Sequence, residues 1–123
     1  MKTVPYIAVI GSGYWGKNLV RNLYQLVALK LICDSNASVL DGFKQEYSDI
    51  ETTLDFQDVL SNKDIQAIVI STPAVTHYNL ARKALLSNKH VFVEKPLTLV
   101  EKEGEELIAM AEDRKLVLMV GHL

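Results

Sequence analysis

The stretch AVIGSGYWGKN, residues Ala8–Asn18, places three glycines directly after an apolar run. Gly11, Gly13 and Gly16 have the spacing G-x-G-x-x-G. This spacing by itself is weak evidence, because ordinary glycine-rich loops also contain it. A phosphate-binding turn of this kind needs a strand before the glycines, a helix after them, and an acidic residue about 20 residues further on. The surrounding sequence therefore decides what the glycines do.

All three parts of that context are present. The Val- and Ile-rich run Tyr6–Ile10 predicts a strand, a helix is expected from about Tyr14, and Asp34 closes the second strand-like run. Amide groups at the start of such a helix, here those of Tyr14 and Trp15, can bind phosphate oxygens, and the helix dipole favours the negative charge. The context predicts a dinucleotide-binding turn.

Each glycine, and the acid, has its own expected role at such a turn. Gly11 permits the tight turn, Gly13 lets the backbone approach a pyrophosphate, and Gly16 lets the helix pack close to the sheet. The Asp34 carboxylate can accept hydrogen bonds from ribose hydroxyls, and it would repel a 2′-phosphate. The segment Ser35–Ser38 offers no Arg or Lys to offset that repulsion. NAD is therefore expected rather than NADP, and a helix-capping role for Asp34 is compatible with this.

Short apolar runs alternate with longer helical patterns along the whole chain. The runs YIAVI, KLICD, AIVIS, HVFVE and LVLMV predict strands buried on both faces, and SDIETTL predicts a short edge strand. This alternation predicts an α/β fold of the Rossmann type. We expect a doubly wound parallel β-sheet with helices on both faces and the strand order 3-2-1-4-5-6.

Capping signals indicate where the helices begin and end. A helix is expected from about Asn36, Asp55 and Thr76 can cap two more, and Asn88 can end the second of these in a left-handed conformation. Thr98–Glu101 has the spacing of a capping box. The inward faces of the helices are expected to include Leu26, Val100, Leu107, Ile108 and Ala111.

The composition excludes several classes of protein. The chain has 123 residues, enough for one domain, and its 13 basic and 15 acidic residues give a formal net charge of −2. This balance gives no excess of positive charge that would bind nucleic acid or an anionic membrane. No apolar segment reaches the ~18 residues that a membrane-spanning helix needs. Cys33 is the only cysteine, which favours a cytoplasmic protein with a small buried thiol. Three scattered histidines give no metal-ligand spacing.

The second half of the chain carries a further motif. The stretch ISTPAVTHYNLARKALLSNKHVFVEKPLTL, Ile70–Leu99, contains Thr-Pro after a strand, a histidine opening a helix, and Glu-Lys-Pro after the next strand. Together with GSGYWGKNLVRN, Gly11–Asn22, it resembles the glucose–fructose oxidoreductase, inositol dehydrogenase and rhizopine-catabolism (Gfo/Idh/MocA) family over essentially the whole chain. Asn88 replaces the glycine that is common in the family, and it can adopt the same backbone.

The resemblance implies a two-domain enzyme in which residues 1–123 match the N-terminal, NAD-binding Rossmann domain. The family's second domain carries much of the sugar site, a histidine that partners the motif lysine, and often the oligomer interface. Its absence from this chain would leave a domain that binds cofactor with little or no turnover. A homo-oligomer is expected for the complete protein.

The resemblance also implies roles for individual residues of the second half. Lys95 would point at the substrate hydroxyl beside the nicotinamide, as a fixed positive charge or a proton relay, although a solvated lysine is the other interpretation. Glu94 would lie by the nicotinamide ribose, and Pro96 would shape the turn through a cis bond. His77 would lie near the cofactor, although a role in packing or capping fits a first-turn histidine equally well.

Three residues after the fourth predicted strand complete the candidate site. Ser71, Thr72 and Pro73 come at the carboxyl edge of the sheet, where cofactors bind in this fold, although they also suit a plain turn before a helix.

The resemblance thus implies an NAD-dependent oxidoreductase that transfers a hydride between a secondary alcohol of a sugar or nucleotide sugar and the nicotinamide. GYWGKNLVRN, Gly13–Asn22, further resembles the subgroup that oxidises C3 of UDP-N-acetylglucosaminuronic acid. The alternative is a non-catalytic nucleotide-binding module, such as a dinucleotide sensor or a CoA-binding domain. The Glu94–Pro96 motif argues against it, because a sensor needs no lysine beside the nicotinamide.

Overall fold

The computed structural model describes residues 6–11, 16–26 and 28–121. Strands and helices alternate along this part of the chain, as the apolar pattern predicts. The strands are β1 (Tyr6–Ile10), β2 (Leu29–Cys33), β3 (Glu51–Thr53), β4 (Ile65–Ile70), β5 (His90–Glu94) and β6 (Leu118–Gly121). The helices are α1 (Gly16–Gln25), α2 (Ala37–Glu46), α3 (Phe56–Ser61), α4 (His77–Leu86) and α5 (Glu101–Arg114).

The six strands form one parallel sheet in the order β3-β2-β1-β4-β5-β6. Both the fold class and the strand order expected from the sequence are confirmed. β3 is a three-residue edge strand, in keeping with the polar composition of its segment. The order reverses direction between β1 and β4, so the crevice at their carboxyl ends is where a ligand binds in folds of this type.

Helices cover the two faces of the sheet with separate apolar cores. On one face, α3, α4 and α5 bury residues such as Val59, Leu85 and Leu107 against the strands. On the other face, α1 and α2 bury residues such as Val20 and Phe43. Each large apolar side chain buried in this way contributes about 2 kcal/mol to folding, so the two cores hold the strand ends in place.

Local capping signals predicted several helix boundaries correctly. The Asn36 side chain accepts hydrogen bonds from the amides of Ser38 and Val39 at the start of α2. Asp55 accepts from the Gln57 amide at the start of α3. Asn88 follows α4 with φ 62°, in the left-handed region. These contacts lie within a few residues of each other in the chain, which explains why the sequence alone predicts them.

Two capping predictions were wrong because the side chains bond elsewhere. Thr76 precedes α4, but its hydroxyl donates to the Pro73 carbonyl and bonds the Thr72 hydroxyl instead of capping the helix. The capping box does not form, since α5 begins at Glu101 after Val100 and the Thr98 hydroxyl donates to the Val100 carbonyl. In both cases a nearby carbonyl competes with the helix amides for the hydroxyl.

Some predicted core positions are exposed. Leu107 and Ala111 are buried as expected, but Ile108 and Val100 are about half exposed and Leu26 is 68% exposed. β6 departs further from the prediction of strands buried on both faces: Met119 is 54% exposed and Val120 43%. The reason is position, because β6 is an edge strand and only one side of it pairs with a neighbour.

Candidate functional site

The carboxyl ends of three adjacent strands are tied together by backbone hydrogen bonds. The Gly11 amide, just after β1, donates to the Cys33 carbonyl at the end of β2 over 2.9 Å. On the other side, the Ser71 amide after β4 donates to the Ile10 carbonyl over 2.8 Å. These bonds place the first glycine of the motif between the ends of β2 and β4.

Gly11 occupies a position that only glycine fits. Its φ is +78°, and a Cβ atom added there would lie 2.5 Å from the Ser71 carbonyl oxygen and 2.6 Å from Cγ2 of Thr72. The backbone of the turn therefore packs directly against the segment after β4. This is the tight turn expected of the first glycine in the motif.

A cavity of about 480 Å³ opens at this edge of the sheet. It brings together five of the residues that the sequence singles out, namely Gly11, Asp34, Ser71, Thr72 and Pro73. The remaining lining residues are Ile10, Cys33, Ser35, Leu54 and Phe56. Leu54 and Phe56 form part of the apolar wall of the cavity, and the sequence analysis did not include them in the site. Their position just after β3 could have indicated them, because all strands of a parallel sheet end at the same edge.

Asp34 lies at the end of β2 with its side chain half buried. Its backbone amide donates to the Thr53 carbonyl at the end of β3 over 3.2 Å, and its Oδ1 accepts from the Asn36 amide over 2.9 Å. The second bond is a local turn that orients the carboxylate at the cavity. The helix cap itself is supplied by Asn36, so Asp34 supports the start of α2 without capping it.

Cys33 lines the floor of the same cavity and is buried, as expected of a small apolar residue at a strand end. Burial raises the pKa of its thiol from 9.0 to about 11, and the nearby Asp34, Asp55 and Asp58 carboxylates act in the same direction. The thiol therefore stays protonated and unreactive at neutral pH.

Glu94 and Lys95 lie at the same edge of the sheet, one strand further along from the cavity. Glu94 ends β5 and is half buried, whereas the Lys95 side chain is exposed. The Lys95 amide donates to the Gly121 carbonyl of β6 over 3.0 Å. The Lys95–Pro96 peptide bond is cis, as the sequence analysis anticipates. Lys95 thus lies at the carboxyl edge, after the strand next to β4, and is not among the residues that line the cavity.

His77 lies behind the cavity wall and is only 2% exposed. Its Nδ1 is 2.7 Å from the Pro96 carbonyl oxygen and its Nε2 is 2.9 Å from the Thr72 carbonyl oxygen. The ring therefore connects the segment that lines the cavity with the segment that carries Lys95.

The other residues of the glycine motif are described only in part. Gly16 is the first residue of α1, whereas Gly13, Tyr14 and Trp15 lie outside the described residues. His90, expected to be structural, accepts at Nδ1 from the Val117 amide over 3.0 Å. His122 lies outside the described residues.

A larger cavity of about 740 Å³ lies at the opposite, amino edge of the sheet, around Lys63, Lys89 and His90. Lys89 is buried there, and its Nζ donates to the carbonyls of Asn62 and Ile65 over 2.9 and 2.7 Å. Burial lowers the pKa of Lys89. These bonds tie the loop after α3 to the start of β5, which is a structural role.

Across residues 6–11, 16–26 and 28–121, no cluster of His, Cys, Asp or Glu side chains is arranged to ligate a metal ion. Within the same ranges, no helix is long and apolar enough to cross a membrane.

The amino-acid sequence matches the model of one protein family over nearly its whole length. The family described as "Oxidoreductase family, NAD-binding Rossmann fold" matches residues 6–122, which is nearly the whole chain. The chain belongs to this Gfo/Idh/MocA oxidoreductase family. The resemblance drawn from the Gly-rich turn and the Glu-Lys-Pro motif is thereby confirmed, and so is NAD as the cofactor of the family's fold.

Individual relatives of this oxidoreductase family show the range of reactions. The chain is 42% identical over 120 residues to UDP-N-acetylglucosamine 3-dehydrogenase of Acidithiobacillus ferrooxidans, covering 94% of this chain and 36% of that protein. It is 29% identical over 124 residues to 2,7-anhydro-N-acetylneuraminate hydratase of Mediterraneibacter gnavus, covering 100% of this chain and 32% of that protein. The chain thus spans about a third of the length of these relatives.

A solved structure of the same fold contains the cofactor. GenD2 from gentamicin A biosynthesis, in complex with NAD, superimposes with a TM-score of 0.90 at 26% identity. The match covers 98% of this chain and 35% of that chain.

Proposed function

We propose that this chain is the cofactor-binding domain of an NAD-dependent oxidoreductase that acts on a secondary alcohol of a sugar or nucleotide sugar. The observation that carries the proposal is the carboxyl edge of the sheet. Gly11, Asp34 and the segment Ser71–Pro73 line one cavity there, and Lys95, with an exposed side chain, directly follows the neighbouring strand β5 at the same edge. A nucleotide-binding module without catalysis has no use for that lysine.

The residues at this edge fit a dinucleotide. Gly11, with its positive φ, keeps the turn close to the β4 end, and the cavity beyond it has room for a nucleoside. The Asp34 carboxylate offers acceptors for ribose hydroxyls and repels an additional phosphate, which supports NAD over NADP. Leu54 and Phe56 supply apolar surface in the same cavity. When bound, NAD supplies a nicotinamide carbon that accepts or donates the hydride.

Lys95 acts at the substrate hydroxyl. Oxidation of a secondary alcohol removes a hydride from carbon and a proton from oxygen, so negative charge develops on that oxygen. A fixed ammonium group at the end of β5 stabilises this charge, and it can pass the proton onward when a partner group accepts it. The proposal assigns Glu94, half buried one residue earlier, to the nicotinamide ribose, as the family resemblance implies.

The substrate proposal rests on the relatives. A relative 42% identical to this chain is named UDP-N-acetylglucosamine 3-dehydrogenase, which supports a nucleotide sugar as the substrate. The narrower subgroup that acts on UDP-N-acetylglucosaminuronic acid is supported by the resemblance of Gly13–Asn22 alone. We infer that the chain works with a second, substrate-binding domain in a cytoplasmic homo-oligomer. The length of the relatives supports the second domain, and the single buried thiol fits a reducing compartment.

The proposal predicts that the alanine substitution Lys95→Ala abolishes most turnover in the full-length protein. Removing the ammonium group should lower kcat by about 10²- to 10⁴-fold while the Kd for NADH stays close to the wild-type value. Steady-state kinetics with a panel of UDP-sugars, together with calorimetric titration of NADH, measure both quantities. The control Lys102→Ala removes an exposed lysine on α5 and should leave kcat unchanged. Wild-type protein that binds NADH but oxidises or reduces no sugar would favour the non-catalytic module.

The cofactor preference gives a second prediction. The wild-type protein should bind NADH at least about tenfold more tightly than NADPH, and Asp34→Ser should narrow that ratio because it removes the repulsion of the 2′-phosphate. Parallel calorimetric titrations at one salt concentration test this. The control Asp113→Ser makes the same charge change near the end of α5, by the opposite edge of the sheet, and should leave the ratio unaltered. Equal affinities for the two cofactors in the wild type would contradict the assigned role of Asp34.

A further inference from the structure

The position of His77 suggests a role that the family match does not supply. The ring is buried and lies between two backbone segments, with the Thr72 carbonyl on one side and the Pro96 carbonyl on the other. The first segment lines the cofactor cavity, and the second directly follows Lys95. We propose that His77 is a positioning residue which, as a doubly protonated imidazolium, ties these segments together and sets the distance between Lys95 and the cofactor edge. The inference rests on the proposed function.

The protonation state follows from the hydrogen-bond partners. Both partners are carbonyl oxygens, which only accept, and both distances are within hydrogen-bonding range, at 2.7 Å for Nδ1 and 2.9 Å for Nε2. A neutral imidazole carries one N–H and would leave its other nitrogen facing a carbonyl without a proton. At 2% exposure, solvent has little access to relieve that contact. The imidazolium satisfies both carbonyls.

The charges around the ring come from three elements. Glu94, the last residue of β5, and Lys95, which follows it, precede Pro96 and carry opposite charges. On α4 itself, Arg82 forms an ion pair with Glu106 of α5 over 3.3 Å. The Glu106 carboxylate also accepts from the Tyr78 hydroxyl. These charges form pairs of opposite sign, and the hydrogen-bond partners of the ring itself are the two carbonyls.

The hydrogen bonds of His77 contribute more to holding the segment around Lys95 than to holding the segment around Thr72. The Thr72 side is held independently, because Ser71 bonds to Ile10 and Thr76 bonds to Pro73 and to the Thr72 hydroxyl. On the other side, Pro96 has no N–H to donate. The backbone at Lys95 is held by two hydrogen bonds, one from the Lys95 amide to the Gly121 carbonyl and one from the His77 ring to the Pro96 carbonyl. Loss of the imidazole should therefore displace Lys95 and leave the cofactor cavity in place.

The protonation state can be measured without any assay of activity. Long-range ¹H–¹⁵N NMR spectra of the chain at neutral pH report whether each ring nitrogen carries a proton, with the signals assigned through single His→Gln variants. His77 should show two protonated nitrogens. His90 is the internal control, because its Nδ1 accepts from the Val117 amide and should be unprotonated. An unprotonated nitrogen in His77 would overturn the imidazolium, whatever the activity of the protein.

The positioning role is tested by kinetics of the full-length protein. His77→Leu removes both bonds and should lower kcat by about 10²-fold, since a displacement of about 1 Å can cost that much. The Kd for NADH should change little. His77→Gln can still donate to one carbonyl and should recover part of kcat, and His90→Gln should match the wild type.

The kinetic outcomes separate the two hypotheses. Wild-type protein without turnover would contradict the proposed function, while the NMR result would still decide the protonation state. An active wild type with unchanged kcat in both His77 variants would overturn the positioning role. The positioning role would also be overturned if the His77 variants lost NADH affinity and thermal stability together with kcat, because such a general loss would show that the histidine is purely structural. If both variants fail to fold, the NMR measurement on the wild type remains decisive for the imidazolium.

Discussion

Cys33 and Asp34 are chain neighbours at the end of β2, yet they meet different environments. Cys33 points into the apolar core and lies at the cavity floor, whereas the half-buried Asp34 carboxylate bonds to the Asn36 amide. The alternation of side chains along a strand separates them. The sequence predicts both environments, since an apolar residue ends the buried run and an acidic residue follows it. The sequence does not predict that the thiol and the carboxylate line the same cavity.

The buried thiol predicts how stability depends on pH. In the unfolded chain the Cys33 thiol ionises with a pKa near 9.0, whereas in the folded chain it keeps its proton up to about 11. The stability that the protonated thiol contributes to folding is therefore fully present below pH 9. It is lost as pH rises from 9 through 11, and the loss reaches about 2 kcal/mol at pH 11. In Cys33→Ala this loss is absent. Denaturant unfolding should show the stability difference between wild type and variant shrinking by about that amount from pH 8 to pH 11.

The control for this experiment is a buried residue without a titrating group. Val93→Ala shortens a fully buried side chain of β5, so its stability difference from the wild type should stay constant over the same pH range. A constant difference for Cys33→Ala as well would show that the thiol does not retain its proton.

At the scale of elements, the close contact between Gly11, just after β1, and the segment after β4 forms one wall of the site. Gly11 can approach this segment because it has no side chain, and its φ of +78° lies in the region that favours glycine. The helix starts show which contacts the sequence can predict. Asp55 caps α3 as predicted, and Asn36, where the sequence predicted only the start of a helix, caps α2, because the amide partners of both side chains lie two or three residues away. Thr76 and Thr98 have carbonyl acceptors at a similar distance along the chain and bond to those instead.

A substitution at Gly11 tests this contact. Gly11→Ala should lower the free energy of unfolding by about 2–4 kcal/mol, because the left-handed φ strains an alanine and the added Cβ meets the Ser71 backbone. Chemical denaturation measures the change. Gly42→Ala is the matched control: Gly42 lies within α2 with no atom within 4 Å of an added Cβ, so alanine should stabilise the protein by about 0.5–1 kcal/mol. A Gly11→Ala protein as stable as the wild type would show that the turn can relax.

At the scale of the whole molecule, the sheet order determines which loops meet. Because the order reverses between β1 and β4, the segments after β1, β2 and β4 converge on one cavity, and the segment after β5 joins the same edge. The site therefore combines residues from Gly11 to Lys95. His77 links the two parts of that edge through backbone carbonyls, a contact that no spacing in the sequence indicates.

The described part of the molecule also leaves apolar surface open at one end of the sheet. Val117, Met119 and Val120 are each more than 40% exposed along β6 and the residue before it. The apolar run LVLMV predicts a strand correctly, but it gives the same signal for an interior strand and an edge strand. Only the strand order distinguishes the two.

The sequence by itself determined the fold class, the strand order, the tight turn at Gly11 and several of the residues at the carboxyl edge. These depend on local periodicity, on the chemistry of single residues and on the fixed handedness of parallel crossovers. The tertiary structure alone decided that Leu54 and Phe56 join the cavity, that Leu26 and Ile108 face outward, and that His77 bonds two distant carbonyls. The physical reason is that burial and long-range hydrogen bonds depend on which elements become neighbours. A pattern of a few consecutive residues does not indicate which distant elements these residues will contact.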